Sequence, residues 1–389
     1  MNKMNSGWEV KSFEDCIEKV VYTNKIQRKD FLDNGKFPII SQEKEFINGY
    51  WNNSCDLFEI SQPVVIFGDH TQVLKYIDFD FVLGADGIKI LQSKNEIKPK
   101  YFYYYMKNIK IESLGYARHY RLLKDIKVYY PKSLAEQQRI VSILDKVFAE
   151  LEQAKENGQR NLKNAKELFE SYLQGVFENK GEDWEEKKLG DKNLIEIIDG
   201  DRGKNYPTQK DFKNNGFCLF MNTKNVRING LKFDTLMFIS EEKDKLMGKG
   251  KLARGDVVMT TRGTIGNLGV YDNNVKYENI RINSGMLIFR PNKEYITSEY
   301  LFEILRSSLM KRQIEKHVSG AAQPQLPIKT LVNFVLPVPK SLKEQQVIVS
   351  KLDELSAEVK KLETIYTQKL EKLEELKKAI LHKAFEGEL

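Results

Sequence analysis

The chain is poor in the residues that build stapled folds and metal centres. It has 3 cysteines in 389 residues, Cys16, Cys55 and Cys218, far apart and in no Cys-x-x-Cys pair. A disulfide framework is therefore excluded as an organising feature, and a reducing compartment is the natural reading. The 4 histidines, His70, His119, His317 and His382, have no metal-ligand spacing with each other or with cysteine. No run approaches the ~18 apolar residues of a membrane span. Met1 to Trp8 lacks the apolar stretch of a secretory leader, so the expectation is a cytoplasmic protein without membrane contact. Nucleotide-binding and hydrolytic signatures are missing too: no Walker loop, no Asn-Pro-Pro-Phe/Tyr tetrapeptide, no His-Glu-x-x-His. Gly248-Lys249-Gly250-Lys251 lacks phosphate-loop spacing and reads as a flexible turn. Asp199-Gly200-Asp201-Arg202 pairs two carboxylates, as a self-contained nuclease would, but no acid–lysine partner lies nearby. It reads as a tight turn.

What the chain does have is a repeat. Pro131 to Phe177 recurs without a gap from Pro339 to Phe385, at a constant offset of 208. Pro131-Lys132-Ser133-Leu134-Ala135-Glu136-Gln137-Gln138 reads against Pro339-Lys340-Ser341-Leu342-Lys343-Glu344-Gln345-Gln346. Each copy follows a globular-looking stretch that opens on Trp-Glu, Trp8-Glu9 and Trp184-Glu185. One module, a head followed by a long helix, is used twice.

Charge is split along the same lines. The formal +7 divides into −2 over residues 134–178, −1 over 342–389 and +10 over the remainder. Near-neutral helices joined to basic heads suit a scaffold carrying polyanion-binding ends. Ser133-x-x-Glu136 and Ser341-x-x-Glu344 are capping boxes. Behind them runs a heptad seam: Ile140, Leu144, Val147, Leu151, Ala154, Gly158, Asn161, Ala165, Leu168 and Tyr172 in one copy. In the other run Ile348, Leu352, Leu355, Val359, Leu362, Tyr366, Lys369, Leu373, Leu376 and Ile380, with a polar break at Asn161 and Lys369. Helices of about 45 residues would span roughly 65 Å at 1.5 Å per residue. Pairing on each other, antiparallel, within one chain is the expected arrangement, against a coiled coil between two chains. A charge at Leu352 is expected to disturb docking more than the folding of a head.

The heads mix short strands with loops. Pro63–Phe67 matches Asp256–Thr260, and Gly87–Leu91 matches Gly285–Phe289. A helix is expected after each, Lys100–Lys107 and Ser298–Leu309, with Tyr101 and Tyr300 at like positions. The aromatic run from Tyr101 to Tyr105 points all ways from a helix and is expected in the core. The polar loops differ: Gly68 to Gln72 against Thr261 to Gly266, and Gly115 to Arg121 against Ser319 to Gln325.

These motifs resemble the specificity subunit of type I restriction-modification systems, over nearly the whole chain. The doubled Ser-Leu-x-Glu-Gln-Gln helix start after a proline is the most specific part. Ser319 to Phe334, and Gly68-Asp69-His70-Thr71 with Phe81 to Gly87, are similar to recurring recognition-domain segments. The resemblance implies an α/β (α+β) fold: two target-recognition domains, 1–130 and 179–338, and two spacer helices, 131–178 and 339–389. These helices would form an antiparallel coiled coil with a pseudo-twofold repeat. It implies a non-catalytic reader of a bipartite site in double-stranded DNA, docking two methyltransferase subunits and joined by restriction (motor and nuclease) subunits. No cofactor is expected in this chain; S-adenosylmethionine, ATP and Mg would sit on the partners.

Base discrimination needs paired donors and acceptors in a groove. The candidates are His70, Gln72, Arg118, His119 and Arg121 in the first head. In the second they are Arg202, Lys204, Asn222, Lys224, Arg227, Arg262, Gln323 and Gln325. His70 and His119 also suit hydrogen-bonded core positions. For the helix interface the candidates are Ile140, Leu144, Val147, Leu151, Ile348, Leu352, Leu355 and Val359. Two other readings stay open: an assembly scaffold with protein-binding heads, and a specificity subunit of a related methyltransferase outside type I.

Overall fold

The computed structural model describes residues 7–389 except Asp86, Tyr116, Asn229 and 319–324. The chain divides into two compact units, Met1–Arg160 with Tyr366–Leu389, and Asn161–Ile365. Each unit therefore takes the start of one long helix and the end of the other. The helices are Leu134–Glu178 and Leu342–Glu386, both 45 residues.

Each capping box is half made. Ser133 Oγ accepts from the Glu136 N–H at 3.3 Å and Ser341 Oγ from the Glu344 N–H at 3.4 Å. The glutamates turn elsewhere: Glu136 forms a fork with Arg139, and Glu344 accepts from the Trp184 indole at 2.6 Å.

In the first unit, strand Trp8–Ser12 pairs antiparallel with Lys127–Pro131, Trp8 opposite Pro131. In the second, Trp184–Lys188 pairs with Val335–Pro339, Trp184 opposite Pro339. The repeat in sequence is a repeat in register. Behind each pair a tyrosine closes the core, Tyr101 donating to Tyr129 O at 3.1 Å and Tyr300 to Pro337 O at 2.8 Å. The helix Pro99–Asn108 buries Tyr101, Phe102, Tyr104 and Tyr105, so the aromatic run is core. Its counterpart Ser298–Arg306 stops short of Leu309. Ser307 leaves the helical region at ψ 160 and caps a separate helix, Ser308–Glu315.

The head frameworks agree further. Val64–Gly68 lies antiparallel between Leu74–Ile77 and Ile88–Leu91. Val257–Thr260 lies antiparallel between Leu268–Val270 and Met286–Pro291. The second head adds Ile195–Asp199 at the outer edge of Met286–Pro291. Each head has a further sheet: Lys25–Ile26, Phe81–Gly84, Phe37–Ile40 and Gly49–Trp51 in one, with Leu57–Phe58 also paired to Phe81–Gly84, and Phe238–Ile239, Cys218–Met221 and Ile280–Ile282 in the other.

Within the first unit the helices run antiparallel, Glu152 facing Lys377 and Lys155 facing Glu374. Gly158 meets Leu370 there so closely that a Cβ would lie 3.0 Å from Leu370 Cδ2. Pairing within the chain is thus the observed arrangement. Ile140, Val141 and Leu144 share the head core with Leu381, Ala384 and Phe385. In the second unit Val349 and Leu352 share the head core with Leu173 and Phe177. Val147 and Leu355 are half-buried, Leu151 and Val359 buried, and Ile348 packs against the head core.

Two expectations need correction. Leu352 is 0 % exposed inside a head core, so a charge there would unfold that head rather than only undock a helix. The heptad seam also fails to hold to its end: Leu168 is 51 % exposed and Leu376 47 %. Past the polar break Ala165 still keeps the seam, but the buried positions then become Leu173 and Phe177 in one copy, and Leu381, Ala384 and Phe385 in the other. A straight α-helix drifts about 20° per heptad, which over four heptads approaches one residue's 100°. Both helices accept the drift and move the seam by one residue.

Candidate nucleic-acid interface

In the first head the hairpin turn after Gly68 is tied to three other segments. Asp69 N–H donates to Gly87 O at 2.6 Å, which joins the two motifs singled out in the sequence. His70 N–H donates to Gln42 Oε1 at 3.0 Å, and Thr71 Oγ to Gln42 O at 2.6 Å. Gln72 takes the left-handed region at φ 58, unusual for a residue with a Cβ. From the far side, the His119 and Tyr120 N–H groups donate to Asp69 O and Oδ1, at 2.7 and 2.8 Å.

His119 itself is 1 % exposed. Its Nε2 accepts from the Leu114 N–H at 3.0 Å, so the proton sits on Nδ1 and faces Asp69 O at 2.9 Å. Both ring nitrogens are engaged by the protein. The residue belongs to the frame that holds the turn, not to the surface that could touch a base. His70 and Gln72 remain half-buried at the turn, while Arg118 and Arg121 are exposed beside it. Lys89 adds a cation there, its Nζ 5.2 Å from the Tyr120 ring centre. Gln42 and Lys89 were missed from the sequence, because a glutamine after a strand and a lysine within one carry no local signal.

In the second head the turn Asn283–Gly285 is the meeting point. Thr261 N–H donates to Gly285 O at 2.8 Å, the counterpart of the Asp69–Gly87 bond. Arg202 Nη2 reaches Ser284 O at 3.3 Å. A Cβ on Gly285 would stand 3.0 Å from Thr223 and 3.9 Å from the Arg262 Cβ. Arg262 is exposed and forms an isolated bridge with exposed Gln325. Gln323 lies outside the described residues. Asn222 is a loop-former: its Oδ1 accepts from the Lys224 N–H at 2.8 Å and caps Thr223–Asn225. That turn presents Lys224 and Arg227, both exposed, at a hollow of about 510 Å³.

A neighbouring cleft of about 550 Å³ is lined by Arg202, Lys204 and Lys249. Its floor is Asp201, 7 % exposed, accepting from Gly203 N–H at 2.6 Å, Gly248 N–H at 2.7 Å and Lys249 N–H at 3.3 Å. Burial works against this carboxylate, but the three N–H groups outweigh it and hold its pKa below the ordinary range. Asp199 is paired with Arg202. Both carboxylates are engaged by the protein itself, but the expected tight turn is not what forms: Asp199 ends the strand Ile195–Asp199, and Asp201 lies in the loop after it, tied to Gly248 and Lys249. Gly200 is required there, since a Cβ would lie 2.1 Å from Asn283 O. Under the cleft, buried Asp244 accepts from Arg281 Nε at 2.6 Å and from Lys251 Nζ, while Arg281 Nη1 donates to Lys249 O at 2.7 Å. Among the described residues no cluster of His, Cys, Asp or Glu is arranged to hold a metal ion. No helix among them is long and apolar enough to cross a membrane.

Each head thus offers a surface of exposed cations and carboxamides on a buried hydrogen-bonded frame. Arginine and glutamine groups held this way can pair with base edges, while lysines meet phosphates.

The sequence profile of the type I restriction modification DNA specificity domain matches residues 5–158 and again 181–375. The EcoR124I/EcoR124II type I restriction enzyme specificity subunit of Escherichia coli is 27 % identical over 345 residues, covering 84 % of this chain and 81 % of that one. The MjaVIII specificity subunit of Methanocaldococcus jannaschii is 25 % identical over 339 residues, covering 79 % and 74 %. Among solved structures, a chain from work on complex assembly and conformational transition of the type I R-M system superposes with TM-score 0.74 at 17 % identity, over 100 % of both chains. The HsdS subunit of Thermoanaerobacter tengcongensis gives 0.58 at 19 %, over 100 % and 98 %.

Proposed function

The chain belongs to the type I restriction modification DNA specificity family, and from that premise we propose that it reads a bipartite site in double-stranded DNA for a methyltransferase complex. The observation that carries this reading is one backbone framework, used twice, with unlike cationic loops. The bonds Asp69 N–H to Gly87 O and Thr261 N–H to Gly285 O hold like turns, yet one turn is fringed by Arg118 and Arg121 and the other by Arg202 and Arg262. Such a pair of heads discriminates two different short base sets while leaving the bases between them unread.

His70, Gln72, Arg118 and Arg121 would meet one half-site. Arg202, Lys204, Lys224, Arg227, Arg262, Gln323 and Gln325 would meet the other, with the lysines on phosphates. Two copies of a methyltransferase subunit would dock on the helices, and S-adenosylmethionine would be carried there; restriction subunits, with ATP and Mg, would join outside this chain. The exposed leucines support two equal docking faces, because Leu168 and Leu376 occupy the same position of the repeat.

The experiment is selective binding by the chain with its methyltransferase partner. Affinity for one bipartite duplex should exceed that for scrambled DNA by at least ~10³-fold at physiological salt. Equal affinity for all sequences would overturn the proposal and favour a protein-binding scaffold.

A further inference from the structure

One residue of the repeated helix start is used identically in both copies and touches no recognition loop. Gln137 and Gln345 occupy the same repeat position, and both are 0 % exposed. In the first unit Gln137 Nε2 donates to Glu96 O and to Pro131 O, both at 2.8 Å, while its Oε1 accepts from the Lys98 N–H at 2.7 Å. In the second unit Gln345 Nε2 donates to Tyr295 O at 2.8 Å and Pro339 O at 3.1 Å, and Oε1 accepts from the Thr297 N–H at 2.9 Å.

All six partners are main-chain atoms. Side chains at the gripped head positions differ, Glu96 and Lys98 against Tyr295 and Thr297, yet the bonds are the same. One side of each amide holds the strand end that feeds the long helix, at Pro131 or Pro339. The other holds the segment that starts the head's own helix, Pro99–Asn108 or Ser298–Arg306. A carboxamide with both donors and its acceptor engaged can be buried without loss, and it admits one geometry only. Sequence-blind contacts of this kind let heads of unrelated sequence seat in one way.

We propose that Gln137 and Gln345 are positioning residues for recognition: each fixes the orientation of a head on its long helix by gripping backbone alone. The seating is a property of the chain itself. Its consequence for DNA rests on the reading proposed above, since base contacts tolerate only about 0.5 Å of misplacement.

The test uses the full chain with Gln345→Met, which keeps the volume and removes all three bonds. Spin labels at Asn273 in the second head and Lys360 on the second helix, both exposed, report the seating. The distance distribution should broaden, and the Thr297 amide should exchange with solvent roughly tenfold faster, as expected when such bonds are lost. Gln346→Met, at the exposed neighbour, should change neither. With DNA and partner, Gln345→Met should blur protection of one half-site and Gln137→Met the other, each leaving the remaining tract as before. An unchanged distribution and exchange rate would overturn the seating. Loosened seating with both tracts intact, or with both weakened together, would overturn the positioning role. Absence of any selective tract in the unaltered protein counts against the DNA reading alone, because the label and exchange results do not depend on DNA.

Discussion

Asp244 and Arg281 are the residues on which the second head's cationic cleft depends, and neither is recognisable in the sequence. Asp244 is 3 % exposed and Arg281 5 %, joined by the Nε bond and by Arg281 Nη2 to Asp244 O at 2.8 Å. Removing one partner of a buried pair strands the other charge. Arg281→Met should therefore cost about 3 kcal/mol, the low end of the range because Lys251 remains. Denaturant unfolding should show a lower midpoint at unchanged slope. Asp244 shares the direction of Asp201: burial opposes ionisation, but the Lys251 and Arg281 bonds prevail and its pKa is lowered. A lowered folded pKa gives stability that is present at neutral pH and lost as pH falls through that pKa. The second unit should loosen below the ordinary carboxylate range, with Asp201→Asn and the Arg281 variant losing part of that acid dependence. Fluorescence at Trp184 during acid titration would follow it. Sequence could place Arg202 and Lys204 on a loop, but a salt bridge between residues 37 apart leaves no trace in local pattern. The same holds for His119, whose burial depends on a bond to Asp69, 50 residues away.

At the scale of elements, the long helices were the most legible part. Pro131, Ser133 and Glu136 with a heptad behind them predicted a start that the structure places at Leu134. The end of the seam was not legible, since heptad and straight-helix registers differ by only one residue and the residues on either side are apolar: Leu168 and Phe169, Tyr172 and Leu173. Tertiary packing decides between them, and it chooses Leu173, 1 % exposed. Leu173→Ala should cost about 2–5 kcal/mol, whereas Leu168→Ala should stay within about 0.5 kcal/mol. Thermal unfolding separates the two. Leu168→Glu and Leu376→Glu test docking: each alone should reduce captured methyltransferase from two copies to one by analytical ultracentrifugation, with unfolding unchanged. Full capture by the double variant would exclude these faces.

For the whole molecule, the repeat gave the architecture and the unlike loops gave the function, through residue types more than through exact positions. The candidate residues at Asn283–Gly285 gather only because Thr261 bonds to Gly285 and Arg202 to Ser284, long-range contacts that no periodicity encodes. The heads should be separable in function: exchanging residues 8–130 for another head of the family should change one half of the recognised site and leave the other, readable by sequencing methylated DNA. The most direct measurement is a hydroxyl-radical footprint of the chain with its methyltransferase on its cognate duplex. Two short protected tracts should appear about one helical turn, roughly 34 Å, apart, with unprotected bases between them. Continuous protection independent of sequence, or no protection at all, would contradict the account.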